Sequence, residues 1–150
     1  MSKVIEVARK EIGVTEKPKN SNQTKYGTWF SLSGVPWCAI FVSWCYSMAG
    51  NQLPVIGFKK GFAGCQTGYA YFKKNGWIVK DPQEGDIVLF DWNGDGRYDH
   101  TGLFVRWIDK VHFETIEGNT SLTNQSNGGE VMLRVRANKN VIFARYIVKK

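Results

Sequence analysis

Two residue types in this chain are suited to covalent chemistry near neutral pH: three cysteines (Cys38, Cys45, Cys65) and two histidines (His100, His112). A thiol attacks only as its thiolate, so each cysteine must be asked what would favour the anion. Cys38 and Cys45 lie in "GVPWCAIFVSWCY", residues 34–46, a run that is otherwise almost wholly apolar. Proline suits the first turn of a helix, so the run predicts a helix starting at or near Pro36 or Trp37 and ending near Ala49, with Gly50 as its stop. Cys38 then sits in the first turn, where unpaired backbone N–H groups and the helix dipole favour negative charge. Cys45, two turns later, lacks that help and reads as a small buried hydrophobe. Cys65, in "KGFAGCQTGY" near the start of another predicted helix, reads the same way. An odd number of cysteines rules out a full disulfide framework, and the absence of a CxxC spacing argues against zinc.

A cysteine nucleophile also needs a base and a group that orients the base. His100 stands between "GDGRYD" and the strand-like "TGLFV", at the mouth of a strand. His112 opens the next strand, "VHFETIEGN". Alternation puts His112, Glu114 and Ile116 on one face and Phe113, Thr115 and Glu117 on the other. If this strand runs antiparallel to the one before it, Glu117 and Asn119 at its far end come beside His100. Either is then an acceptor for the imidazole Nδ1 proton. His112 falls at the opposite end and reads as an ordinary rim histidine.

A second constellation precedes His100. "DWNGDGRYD" sets Asp91, Asn93, Asp95, the Arg97 carbonyl and Asp99 at positions one, three, five, seven and nine of an EF-hand-like loop, with Gly96 at six. Hard oxygen ligands at this spacing suit a structural Ca²⁺. Gly102 stands where a bidentate Glu belongs, and the competing reading is a turn with solvated acids.

The elements that must position these residues follow from periodicity. Residues 2–13 read as an amphipathic helix capped by Ser2, residues 26–32 as a short helical piece, and residues 63–75 as a helix closed by "NG". From residue 86 the pattern changes to short aliphatic and aromatic runs bounded by turn residues: "DIVLFDW", "TGLFVRW", "VHFETIEG", "EVMLRVR" and "VIFARYIV". Helices first and strands after predict an α+β domain with N-terminal helices on an antiparallel sheet of about five to six strands.

At 150 residues, 43% hydrophobic and 22% charged, the chain reads as one globular domain over residues 1–150. No run is long enough to span a membrane, and the N-terminus lacks a signal-like apolar stretch, which implies either synthesis in a cytoplasm or a signal already removed. The net charge of +7 favours a polyanionic partner, but Lys and Arg are scattered and no nucleic-acid motif occurs. The 9 Phe, 6 Tyr and 6 Trp suit either a core or a carbohydrate groove.

Taken together, "PWCAIFVSW", "GDIVLFDW", "HTGLFV", "TIEGNT", "GGEVMLRVR" and the final "FARY" resemble the CHAP domains, the cysteine, histidine-dependent amidohydrolases and peptidases. Within that family the chain looks like the catalytic domain of a bacteriophage endolysin. The resemblance implies a papain-like α+β fold and hydrolysis of amide bonds in bacterial peptidoglycan. It implies Cys38 as nucleophile, His100 as base, Glu117 as the residue orienting His100, and Asn119 assisting. It leaves open whether the enzyme is an N-acetylmuramoyl-L-alanine amidase or an endopeptidase. It also implies action at the cell wall after release from the host cytoplasm, with a separate wall-binding domain or subunit as an expected partner, and the positive charge adds anionic wall polymers. A non-catalytic wall-binding module and a thiol protease acting on proteins are the competing classes. The first leaves the ordered Cys, His and Glu/Asn set unexplained.

Overall fold

The computed structural model describes residues 2–148. Four helices come first: α1 (Lys3–Arg9), α2 (Lys25–Phe30), α3 (Cys38–Met48) and α4 (Cys65–Lys74). Six strands follow: β1 (Ile78–Val79), β2 (Ile87–Phe90), β3 (His100–Trp107), β4 (His112–Thr120), β5 (Glu130–Ala137) and β6 (Val141–Ala144). They form one sheet in the order β1-β6-β2-β3-β4-β5, and every pairing is antiparallel. The α+β fold of helices on an antiparallel sheet is therefore the fold observed.

Local chemistry sets the element ends. Ser2 caps α1 by accepting from the Ile5 N–H, and Thr24 caps α2 by accepting from the Gly27 N–H. Helix α1 is shorter than the periodicity predicts: it stops at Arg9, and Ile12 lies exposed in the turns that follow. Helix α3 starts at Cys38 with Trp37 as N-cap and closes at Ala49, with Gly50 left-handed just beyond. The two-residue β1 is a strand that sequence periodicity does not reveal, because alternation needs more residues than it has.

Both faces of the sheet are covered. Ile87, Leu89, Leu103, Ile116 and Val131 face the helices, with Ile5, Trp37 and Phe41 in the same core. Val88, Phe90, Phe104, Phe113 and Phe143 form a second, aromatic cluster. This explains why β2 is buried at all four positions instead of alternating.

Helix α3 must lie very close to β4 for its first residue to reach the sheet. Gly118 permits this: a Cβ there would meet Phe41 Cβ at 2.7 Å and Trp37 Cζ3 at 2.9 Å. Gly118→Ala is expected to lower stability by about 1–3 kcal/mol through overpacking. Thermal denaturation checks this, and an unchanged melting temperature would contradict the close approach.

Candidate active site

Cys38 is the first residue of α3, so its sulfur lies where the helix leaves backbone N–H groups unpaired. His100 is the first residue of β3, held by its pairing with Phe90. The β3–β4 register runs antiparallel through Leu103 and Ile116, which brings the far end of β4 back to His100 as the sequence predicts. Glu117 meets the imidazole there: its Oε1 lies 2.9 Å from His100 Nε2. Both side chains have no exposed surface.

The nitrogen that Glu117 holds is Nε2, which corrects the expectation of an Nδ1 contact. The exchange has a chemical consequence. Nδ1 is left buried with no hydrogen-bond partner, available to the Cys38 sulfur. A buried polar atom without a partner is uncommon and marks a place where a partner arrives or a proton moves.

Asn119 goes elsewhere. Its backbone is left-handed (φ 58°), at the irregularity between Glu117 and Thr120 in the β4–β5 ladder. Its Nδ2 donates to Asn127 Oδ1, its Oδ1 accepts from the Gly129 N–H, and its carbonyl accepts from the Gly128 N–H. The side chain thus closes the 121–129 loop, and Glu117 alone of the two candidates bonds His100. His112 sits at the other end of β4, with Nδ1 3.0 Å from Asp109, as expected of a rim histidine.

Three residues that sequence reasoning passed over complete the site. Arg136 on β5 donates from Nε to Glu117 Oε2 at 2.8 Å and from Nη2 to Oε1 at 2.5 Å, a two-pronged buried ion pair. Its signal was an arginine on the same strand face as Glu117 once β5 pairs with β4. Trp92 stacks on His100 at 6.0 Å and on Phe90 at 4.8 Å, and the Arg136 guanidinium lies 5.0 Å from its ring centre. Cys65, the first residue of α4, places its sulfur 4.0 Å from that of Cys38. Nothing in one sequence couples two cysteines on separate helices. Gly102 also gains a reason: a Cβ there would lie 2.5 Å from Glu117 Cγ, so the glycine makes room for the carboxylate.

The electrostatics follow from these contacts. The Cys38 thiol is held well below its ordinary range, first by the Cys65 thiol beside it, then, against the cost of burial, by the charge of His100. Burial works against a charged His100, but the Cys38 thiolate and Glu117 outweigh it and raise the imidazole to about 9. Burial likewise opposes a charged Glu117, and Arg136 with His100 brings it down to about 2. Cys45 is instead pushed up by burial, as its mid-helix position predicts. The arrangement is a thiolate–imidazolium pair backed by a buried carboxylate, able to attack an electrophilic carbonyl and return a proton.

The 91–99 loop is arranged around its own amides. Asp91 accepts from the N–H groups of Asp95 (3.2 Å) and Gly96 (2.8 Å), Asp95 from Arg97, and Asp99 from Trp92. Asn93, Asp95, Arg97 and Asp99 are exposed. Among the described residues no three His, Cys, Asp or Glu side chains are grouped as a metal ion requires. The donor set as placed does not fit the Ca²⁺ cage that the spacing suggests.

A protein-family model of the CHAP domain matches residues 30–119. No curated protein matches the chain. The match spans the three residues brought together here, Cys38, His100 and Glu117. The chain belongs to the CHAP domain family, whose members are typically cysteine- and histidine-dependent amidohydrolases and peptidases of peptidoglycan.

Two outcomes test this site. Arg136→Met strips the buried Glu117 of its guanidinium, leaving it only His100 and Thr115, and is expected to cost about 3–5 kcal/mol, while the Arg136→Met/Glu117→Gln double variant regains part of that loss. Denaturant unfolding of the three variants measures the coupling, and simple additivity would sink the ion-pair account. Addition of EDTA and then Ca²⁺ is expected to leave the melting temperature unchanged; a rise of several degrees with Ca²⁺ would restore an ion to the 91–99 loop.

Proposed function

We propose that this chain is a catalytic domain of the phage endolysin type, cutting amide bonds of bacterial peptidoglycan through Cys38. The observation that supports it most is the buried series Cys38, His100, Glu117 and Arg136, in which each group has a partner of opposite charge. A non-catalytic wall-binding module has no use for such a series.

The Cys38 thiolate attacks the amide carbonyl carbon. The developing oxyanion needs donors, and the backbone N–H of Cys38 at the start of α3 is one. Tyr26 does not supply the second: its hydroxyl is buried and donates to Glu11 Oε1 at 2.8 Å. His100 delivers its Nδ1 proton to the leaving amine, and the C–N bond breaks to give a thioester on Cys38. His100 then takes a proton from water, the hydroxide attacks the thioester, and the thiolate is released. Glu117 holds Nε2 throughout, so the ring presents Nδ1 to each step.

The cleaved bond is either the one between muramic acid and L-alanine or one within the stem or cross-bridge. Mass spectrometry of digested wall distinguishes them by the new amine that appears. Purified peptidoglycan against casein separates wall hydrolysis from general proteolysis. On this reading the enzyme is made in a bacterial cytoplasm and acts on the wall after release. The charge of +7 suits anionic wall polymers, an attraction that raised salt should weaken.

Cys38→Ala is expected to abolish wall lysis while the protein stays folded, and His100→Ala to cost at least about a hundredfold in rate. Activity should span neutral pH and fall as His100 loses its proton near pH 9. Glu117→Gln removes an anion that raises the imidazole, so its alkaline limb should move to lower pH. Full lysis by folded Cys38→Ala, or an unmoved limb in Glu117→Gln, would contradict the mechanism.

A further inference from the structure

Cys65 carries no proton or substrate in the hydrolysis just described and only favours the Cys38 anion, yet its sulfur is 4.0 Å from the nucleophile. We propose that Cys38 and Cys65 are a site of reversible oxidative modification, closing to a disulfide that switches the enzyme off. The proposal rests on the reading of Cys38 as nucleophile only for its effect on activity; the bond itself rests on geometry.

A disulfide needs its sulfurs about 2.0 Å apart, so the pair must close by about 2 Å. Each cysteine is the first residue of its helix, preceded by non-helical backbone at Trp37 and Gly64. A side-chain rotation with a small shift at either helix start supplies that movement without bending a helix. The two thiols also differ as the chemistry requires. Cys38 is the anion and Cys65 the neutral thiol, its ionisation opposed first by the neighbouring Cys38, then by burial. Cys38 and Cys65 retain 5% and 8% of their surface, while Cys45 retains 0%. A small oxidant that enters the site therefore meets this pair and not the third thiol.

Hydrogen peroxide is the oxidant class. The Cys38 thiolate attacks one peroxide oxygen, the O–O bond breaks, and hydroxide leaves, giving Cys38 sulfenic acid. Cys65 sulfur then attacks the Cys38 sulfur; the S–O bond breaks, and the departing hydroxide takes up the Cys65 proton as water. In sum two thiols and one peroxide give one disulfide and two waters. A dithiol reductant reverses it by exchange. Without Cys65 the sulfenic acid has no resolving thiol and proceeds to the irreversible sulfinic acid.

The experiment treats the full chain with hydrogen peroxide and reads both mass and lysis. In a Cys45→Ala background only Cys38 and Cys65 remain, so a loss of about 2 Da and a tryptic link between the peptides bearing them report the bond. Dithiothreitol is expected to restore most of the wild-type activity. Cys65→Ser and Cys65→Ala, offered as alternatives in case one folds poorly, should recover less than about a tenth after the same treatment. Equal recovery by wild type and the Cys65 variants, or no mass loss in the Cys45→Ala protein, would overturn the proposal. If the bond forms but lysis is unaffected, the role of Cys38 as nucleophile fails and the modification site stands.

Discussion

A carboxylate with no exposed surface governs this structure. Glu117 takes hydrogen bonds from Arg136 on two sides, from Thr115 Oγ1 at 2.5 Å, and lies 2.9 Å from His100. Buried charge is costly unless paired and hydrogen-bonded, and here the pairing extends past one neighbour. Thiolate, imidazolium, carboxylate and guanidinium alternate in sign along Cys38, His100, Glu117 and Arg136. The series sums to zero, so this buried group carries no net charge. Removing Arg136 or Glu117 leaves a buried neighbour short of its counter-charge. The thiolate is thus a consequence of a structural series, and Arg136, on the outermost strand, belongs to the same unit as Cys38.

That series needs four elements in register. Helix α3 carries Cys38, β3 carries His100, β4 carries Glu117 and β5 carries Arg136. Two glycines set the spacings between them. Gly118 admits the ring of Phe41 and the indole of Trp37 against β4, which seats the start of α3 at the sheet. Gly102 leaves space in β3 for the Glu117 side chain. A one-residue slip between β3 and β4 would send Glu117 to the helix face and leave His100 without its acceptor. The aromatic cluster shares the second face with Glu117, Phe90 lying opposite His100 and Phe113 opposite Arg136, and opposes the slip by requiring the same alternation.

The sequence was informative where a local rule decides the outcome. Proline before an apolar run placed the start of α3 within two residues, and period-two alternation placed Glu117 on the face it occupies. The order of helices first and strands after pointed to an antiparallel sheet, and an antiparallel β4 brings Glu117 near His100. What stayed hidden is non-local. Arg136 lies 19 residues from Glu117, and the thiols of Cys38 and Cys65 belong to two helices whose packing no periodicity encodes. Asn119 illustrates a different failure: two polar residues two apart on a strand should share a face, but the irregularity after Glu117 and a left-handed Asn119 break the count. The EF-hand-like spacing of 91–99 has two readings for a related reason. Asp, Asn and Gly at those positions also build turns in which carboxylates accept the loop's own amides.

The ionisation that suits catalysis also shapes the dependence of stability on pH. In the unfolded chain His100 would titrate near 6.5 and Cys38 near 9.0. Between those values the unfolded pair holds one proton, on sulfur, and the folded pair also holds one, on the imidazole. Equal proton counts give no slope, so this pair makes stability flat across that range. Below 6.5 the unfolded histidine takes up a second proton that the folded pair refuses, and stability falls as pH falls. Above about 9 the unfolded thiol and the folded imidazolium lose their protons over the same range, so this pair adds no slope there either. Glu117 adds a loss at the acid end alone: held at about 2 against an ordinary 4.5, its contribution is complete above 4.5 and disappears as pH drops toward 2. The plateau of stability covers the window of the thiolate–imidazolium pair because folding moves one proton from Cys38 to His100 without changing the number of protons bound.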